Sequence, residues 1–151
     1  MISTEQVTAL RALLTRDFDE HQRVIAQIKP VGGLAGYYEL VTAAFFEAVD
    51  RRFGSGYTLP DIVEYVAEVR TRLRNPDRGI DPNVAERLIR KALGEGTTRG
   101  IDKETLLRTE SVLLTVLIMD EQLDDAALDA FLAEARALAD RLKRSTGHAE
   151  R

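Results

Sequence analysis

The sequence predicts an all-α protein, a single-domain bundle of about six helices in an orthogonal or up-and-down arrangement. Three observations carry this. Apolar residues recur at helical spacing almost throughout, no stretch alternates apolar and polar residues as a half-buried strand does, and Pro- and Gly-rich breaks cut the chain into helix-length pieces. The length, 151 residues, suits one domain with a sizeable core. The bundle is expected over 1–145, with a disordered tail at 146–151.

The first helix is expected from about Thr4 to Lys29, opened by Ser3 and Gln6 at capping-box spacing and closed by "KPVGG". The second runs from about Leu34 to Phe53 and stops at "GSG". Thr58 caps the third, with Pro60 in its first turn, and "NPDRG" ends it. Asp81 caps the fourth, Pro82 opens it and Gly94 closes it. "GEGTTRG" links it to the fifth, capped by Asp102. The acidic turn "MDEQLDD" caps the sixth, from about Asp125 to Arg144, and lacks the glycine and ligand spacing of a calcium loop.

Composition excludes several function classes. With no cysteine there is no disulfide, thiolate catalysis or Cys-based zinc site. No secretion signal or membrane-length apolar run is visible, and the expected location is the cytoplasm, without membrane contact. The net charge of −4 opposes phosphate backbones at long range. Residues 51–108 are the exception, with 12 basic and 9 acidic side chains. Arg70, Arg72, Arg74, Arg78, Arg87, Arg90 and Lys91 therefore keep a nucleic-acid reading of the 70–91 region in view, although "NPDRGIDP" is too long for a helix-turn-helix connection. No phosphate loop, nucleophile elbow, paired-histidine metal motif or cofactor fingerprint is present, so no catalytic residue, metal ligand or cofactor is assigned.

What remains is a small set of ionisable residues on apolar faces. In "LLRTESVLLTVLIM", the most apolar run, Glu110 is surrounded by Leu106, Leu107, Leu113, Leu114 and Leu117. His21 falls in the stripe of the first helix with Asp17 one turn earlier, and Arg52 lands on the axis of the second helix stripe. A lone buried carboxylate costs several kcal/mol, so Glu110 is expected to meet His21 or Arg52 or to become neutral. Asp17, His21, Arg52 and Glu110 are thus candidates for a buried polar cluster. It would act as a register-setting pair, as groups snorkelling to water, as a ligand pocket, or, through Asp17, His21 and Glu110, as a thin metal set.

The expected function is a protein-interaction or regulatory module, binding a protein partner or a second copy of itself as a homodimer. Tyr38 and Phe46, at the edge of an aromatic-rich stripe, are the interface candidates. The alanines at 126, 130, 133 and 137 offer a small-residue face on the last helix. The alternative is a helical small-molecule sensor or enzyme built on the buried cluster around a small acidic ligand. An open pocket at Glu110 would favour that alternative over a closed, dry pair.

Overall fold

Ser3 opens the chain's first helix as the sequence implies: its side chain accepts from the Gln6 backbone N–H at 3.2 Å, and Gln6 Oε1 accepts from the Ser3 N–H at 2.8 Å. The computed structural model describes residues 1–73 and 79–149, with side chains to 144. It is all-helical, with seven α-helices among the described residues.

The seventh helix arises because the expected first helix is two. α1 spans Thr4–Leu14 and α2 spans Phe18–Ile28. Between them Arg16 takes a left-handed φ of 60°. The Arg16 N–H donates to Leu13 O at 3.1 Å and the Asp17 N–H to Ala12 O at 2.9 Å. That pair of bonds is a Schellman stop, here with arginine where glycine is usual. Asp17 then caps α2, accepting from the Glu20 N–H at 3.3 Å. A short 3-10 turn, Lys29–Val31, holds Pro30 and ends at Gly32 with φ 79°.

α3 covers Leu34–Phe53, α4 Leu59–Arg72, α5 Pro82–Ala92, α6 Lys103–Glu121 and α7 Asp125–Ala149. Thr58, Asp81, Asp102 and Asp124 each accept a backbone N–H at the start of the following helix. The backbone of α7 is helical five residues beyond the Arg144 end expected from the sequence. The loop read as "NPDRG", with Arg74 and Arg78, and the side chain of His148 lie outside the described residues or side chains.

α3 is the central rod. It packs against α1, α5, α6 and α7, and its buried residues form a broad face that includes Tyr37, Leu40, Val41, Phe45, Ala48 and Val49. α4 reaches the core through Ile62, Tyr65, Val66 and Val69 and packs on α5. Close approach to α3 is set by Gly36, where a Cβ would lie 2.4 Å from Gln6 Nε2. That amide in turn donates to Gly33 O at 2.8 Å, tying the start of α1 to the start of α3.

Two basic residues of the middle segment, Arg72 and Arg87, are engaged within the chain. Arg72 pairs with Asp120 at 2.8 Å, and Arg87 donates to Thr97 O and Arg99 O at 3.0 and 2.7 Å, fastening the glycine-rich linker to α5. The alanines at 126, 130, 133 and 137 are exposed along the outer side of α7.

Candidate functional site

Glu110 is held inside the protein by the helix that carries it. Its neighbours Leu113, Leu114 and Leu117 are core residues, and the register of α6 turns Glu110 inward with them. It is 6% exposed. Three buried side-chain oxygens have no hydrogen-bond partner among the described residues: Tyr65 Oη, Thr109 Oγ1 and Glu110 Oε1. Glu110 lines a recess of about 680 Å³ bounded by α3, α5, α6 and α7.

The recess is predominantly apolar. Tyr38 and Phe46 line it from α3, Leu88 from α5, and Leu106 and Leu107 from α6. Two small residues also line it, Ala35 at the start of α3 and Ala139 in the α7 stripe. Thr42 faces Glu110 across the seam between α3 and α6. Burial pushes the Glu110 carboxyl up to about 7, opposed by hydrogen bonding from Thr42 and by the Lys91 ammonium. Near neutral pH the group therefore exists both as a carboxylic acid that donates a proton and as a carboxylate that accepts.

The other residues singled out from the sequence do not gather around it. Asp17 is an exposed helix cap, because the break at Arg16 places it at the start of α2 rather than within a continuous stripe. His21 is half-buried, and its Nε2 lies 2.8 Å from the Tyr37 hydroxyl; burial pushes the imidazole below its usual range. Arg52 is exposed, its guanidinium 5.1 Å from the centre of the Tyr65 ring. Arg52 also lies about 15 Å further along the α3 axis than Thr42, at 1.5 Å rise per residue. The expected meeting of Glu110 with His21 or Arg52 is thus replaced by contact with Thr42 and the nearby charge of Lys91. Among the described residues, no group of three His, Cys, Asp or Glu side chains is arranged to hold a metal ion.

Tyr38 and Phe46, read from the sequence as interface candidates, are half-buried and form part of the recess wall. The chain matches no protein-family model, no curated protein and no solved structure with which it was compared. The functional reading therefore rests on geometry and chemistry alone.

Sequence reasoning named Lys91 only as part of a basic segment and missed that it joins Lys103 and Lys143 at a recess. Lys91, Lys103 and Lys143 stand around the recess on three different helices, widely separated along the chain. Their only sequence signal is a lysine at the edge of each apolar arc, a common feature of solvated helices.

Proposed function

We propose that this protein is a binding protein for a small, mainly apolar organic molecule, held in the recess between α3, α5, α6 and α7. The observation that carries the reading is Glu110: a carboxyl with an unpartnered oxygen, buried beside open space rather than sealed against a partner. A closed ion pair would serve packing alone. A buried polar atom facing a cavity leaves a hydrogen bond for a ligand to complete, and leaving such a group unmet costs about 1–3 kcal/mol. The volume, about 680 Å³, falls in the range of small-molecule sites, and mainly apolar walls with a few placed polar groups are their usual composition. The same group is able to donate or accept a proton near neutral pH; its neighbours Thr42 and Lys91 suit the holding of a polar ligand, and binding is the reading supported.

The test is a titration with N-phenylnaphthylamine, an uncharged fluorophore that brightens in apolar surroundings. Saturable binding at one site is expected. Leu107→Trp places a bulky ring in the recess and should weaken binding by more than about tenfold, with the far-ultraviolet dichroism of the helices retained. Binding that does not saturate, or that ignores Leu107→Trp in a folded variant, would overturn the reading.

A second reading, self-association, draws on Leu59 and Val63, one turn apart on α4 and 54% and 44% exposed. Sedimentation equilibrium tests it. A dimer that Leu59→Glu dissociates supports it, and a monomer at all concentrations removes it.

A further inference from the structure

The exposed charges that line the recess are three lysines and one carboxylate, Glu39, an excess of positive charge. The lysines are Lys91 on α5, Lys103 in the first turn of α6 and Lys143 on α7. Lys143 is partly balanced by Glu39, at 3.9 Å. Among the described residues no carboxylate pairs with Lys91 or Lys103. Lys91 Nζ donates to Thr98 Oγ1 at 3.4 Å, a contact that holds the ammonium without neutralising it. Of the two carboxylates that flank Lys103 in sequence, Asp102 is engaged by the Thr105 N–H at 2.9 Å and the Thr105 hydroxyl at 2.7 Å, and Glu104 forms no ion pair with it. Two ammonium groups without an ion-pair partner therefore border a mainly apolar chamber that holds the buried Glu110 carboxyl, which feels the charge of Lys91.

We propose that the ligand is a small amphipathic organic anion, with its acid group between Lys91 and Lys103, its apolar body along Tyr38, Phe46, Leu106 and Leu107, and an uncharged polar group against Glu110. This rests on the ligand-binding reading of the same recess and adds the charge and orientation of the occupant. A cationic ligand would have to pass the ammonium groups to reach Glu110, and like charges at close range repel it. A wholly apolar ligand would leave the Glu110 oxygen unpartnered and the lysines unused. An amphipathic anion satisfies both ends at once: its body is taken from water while its acid group stays at the wet rim, where an ammonium can pair with it.

Two dyes with nearly the same aromatic body isolate the charge. Anilinonaphthalene sulfonate carries an anionic group that N-phenylnaphthylamine lacks. At low salt the sulfonate is expected to bind at least about tenfold tighter, the combined effect of two rim ion pairs. The advantage should shrink in high salt, because exposed pairs are screened. In the double variant Lys91→Gln, Lys103→Gln the sulfonate should fall to the affinity of the neutral dye, with helix content unchanged. The single variant Lys143→Gln should have the smaller effect, since Glu39 already engages that lysine. If the sulfonate binds no tighter than the neutral dye, or if the double variant weakens both by the same factor, the anion assignment is overturned while the apolar-ligand reading stands. If neither dye binds at a saturable site, both fall together.

Discussion

His21 Nε2 stands 2.8 Å from the Tyr37 hydroxyl, a bond that fastens α2 to the central helix. The rings also meet at a tilt, 5.7 Å between centroids. Burial pulls the imidazole below its ordinary value of 6.5, so folding favours the neutral ring. The sign follows: this contribution is complete above pH 6.5 and is lost as the pH falls through the lower, folded-state value. His21→Gln should flatten the acid side of a stability–pH curve measured by urea unfolding. Tyr37→Phe keeps the ring and loses the hydroxyl, at a cost of about 1 kcal/mol. An unchanged midpoint in Tyr37→Phe would show the bond to be absent in solution.

Glu110 acts in the opposite direction. Its folded value is raised from 4.5 to about 7, so its contribution is complete below pH 4.5 and is lost as the pH rises through about 7. The full loss amounts to about 3 kcal/mol. Glu110→Gln removes the charge and preserves the shape. Its stability should be level across that window, and near pH 8 it should exceed the wild type by about 2 kcal/mol, less than the full linkage because a buried amide is still incompletely bonded. Parallel curves for the two proteins would refute the assignment.

The legibility of the fold and the illegibility of the site have one cause. Helix stripes depend on spacing along a single segment, so Ile62, Tyr65, Val66 and Val69 on α4, or Phe131, Leu132 and Ala135 on α7, are buried as their periodicity implies. Caps are equally local, and Ser3, Thr58, Asp81 and Asp102 all bind the backbone as read. Burial of Glu110 was legible for the same reason. Its surroundings were not, because they depend on which helices meet. Thr42, Lys91 and Lys143 come from three helices, and nothing in the spacing of one helix fixes its rotation against another. The break at Arg16 escaped for a different reason: the residue in the left-handed position carries none of the glycine signal by which such stops are recognised.

That break makes a prediction of its own. A non-glycine residue at φ 60° carries a steric cost of roughly 1–2 kcal/mol. Arg16→Gly removes it and adds unfolded-state freedom, for a net gain of about 0.5–1 kcal/mol. Arg16→Ala retains the strain and should not gain. Thermal unfolding of the two variants decides it, and equal midpoints would mean that α1 and α2 join differently in solution.

Binding in the recess should be coupled to the proton on Glu110. An apolar body placed beside this carboxyl displaces water from it and raises the cost of the charged form, so the ligand favours the acid. Affinity for N-phenylnaphthylamine should then be highest below pH 7 and fall above it, approaching about tenfold per pH unit if the charged form is fully rejected. The groups that face Glu110 or line its recess are Thr42, Tyr38 and Glu39 from α3, Lys91 from α5, Lys103 from α6 and Lys143 from α7. Thr42→Val removes the hydrogen bond that lowers the Glu110 value, so the midpoint of the affinity curve should move to higher pH. Lys91→Gln removes the opposing ammonium and should move it the same way. Glu110→Gln should abolish the pH dependence while leaving the dye bound. A curve of the same shape in wild type and Glu110→Gln would assign the titrating group elsewhere, and a flat curve in the wild type would mean that the dye sits away from the carboxyl altogether.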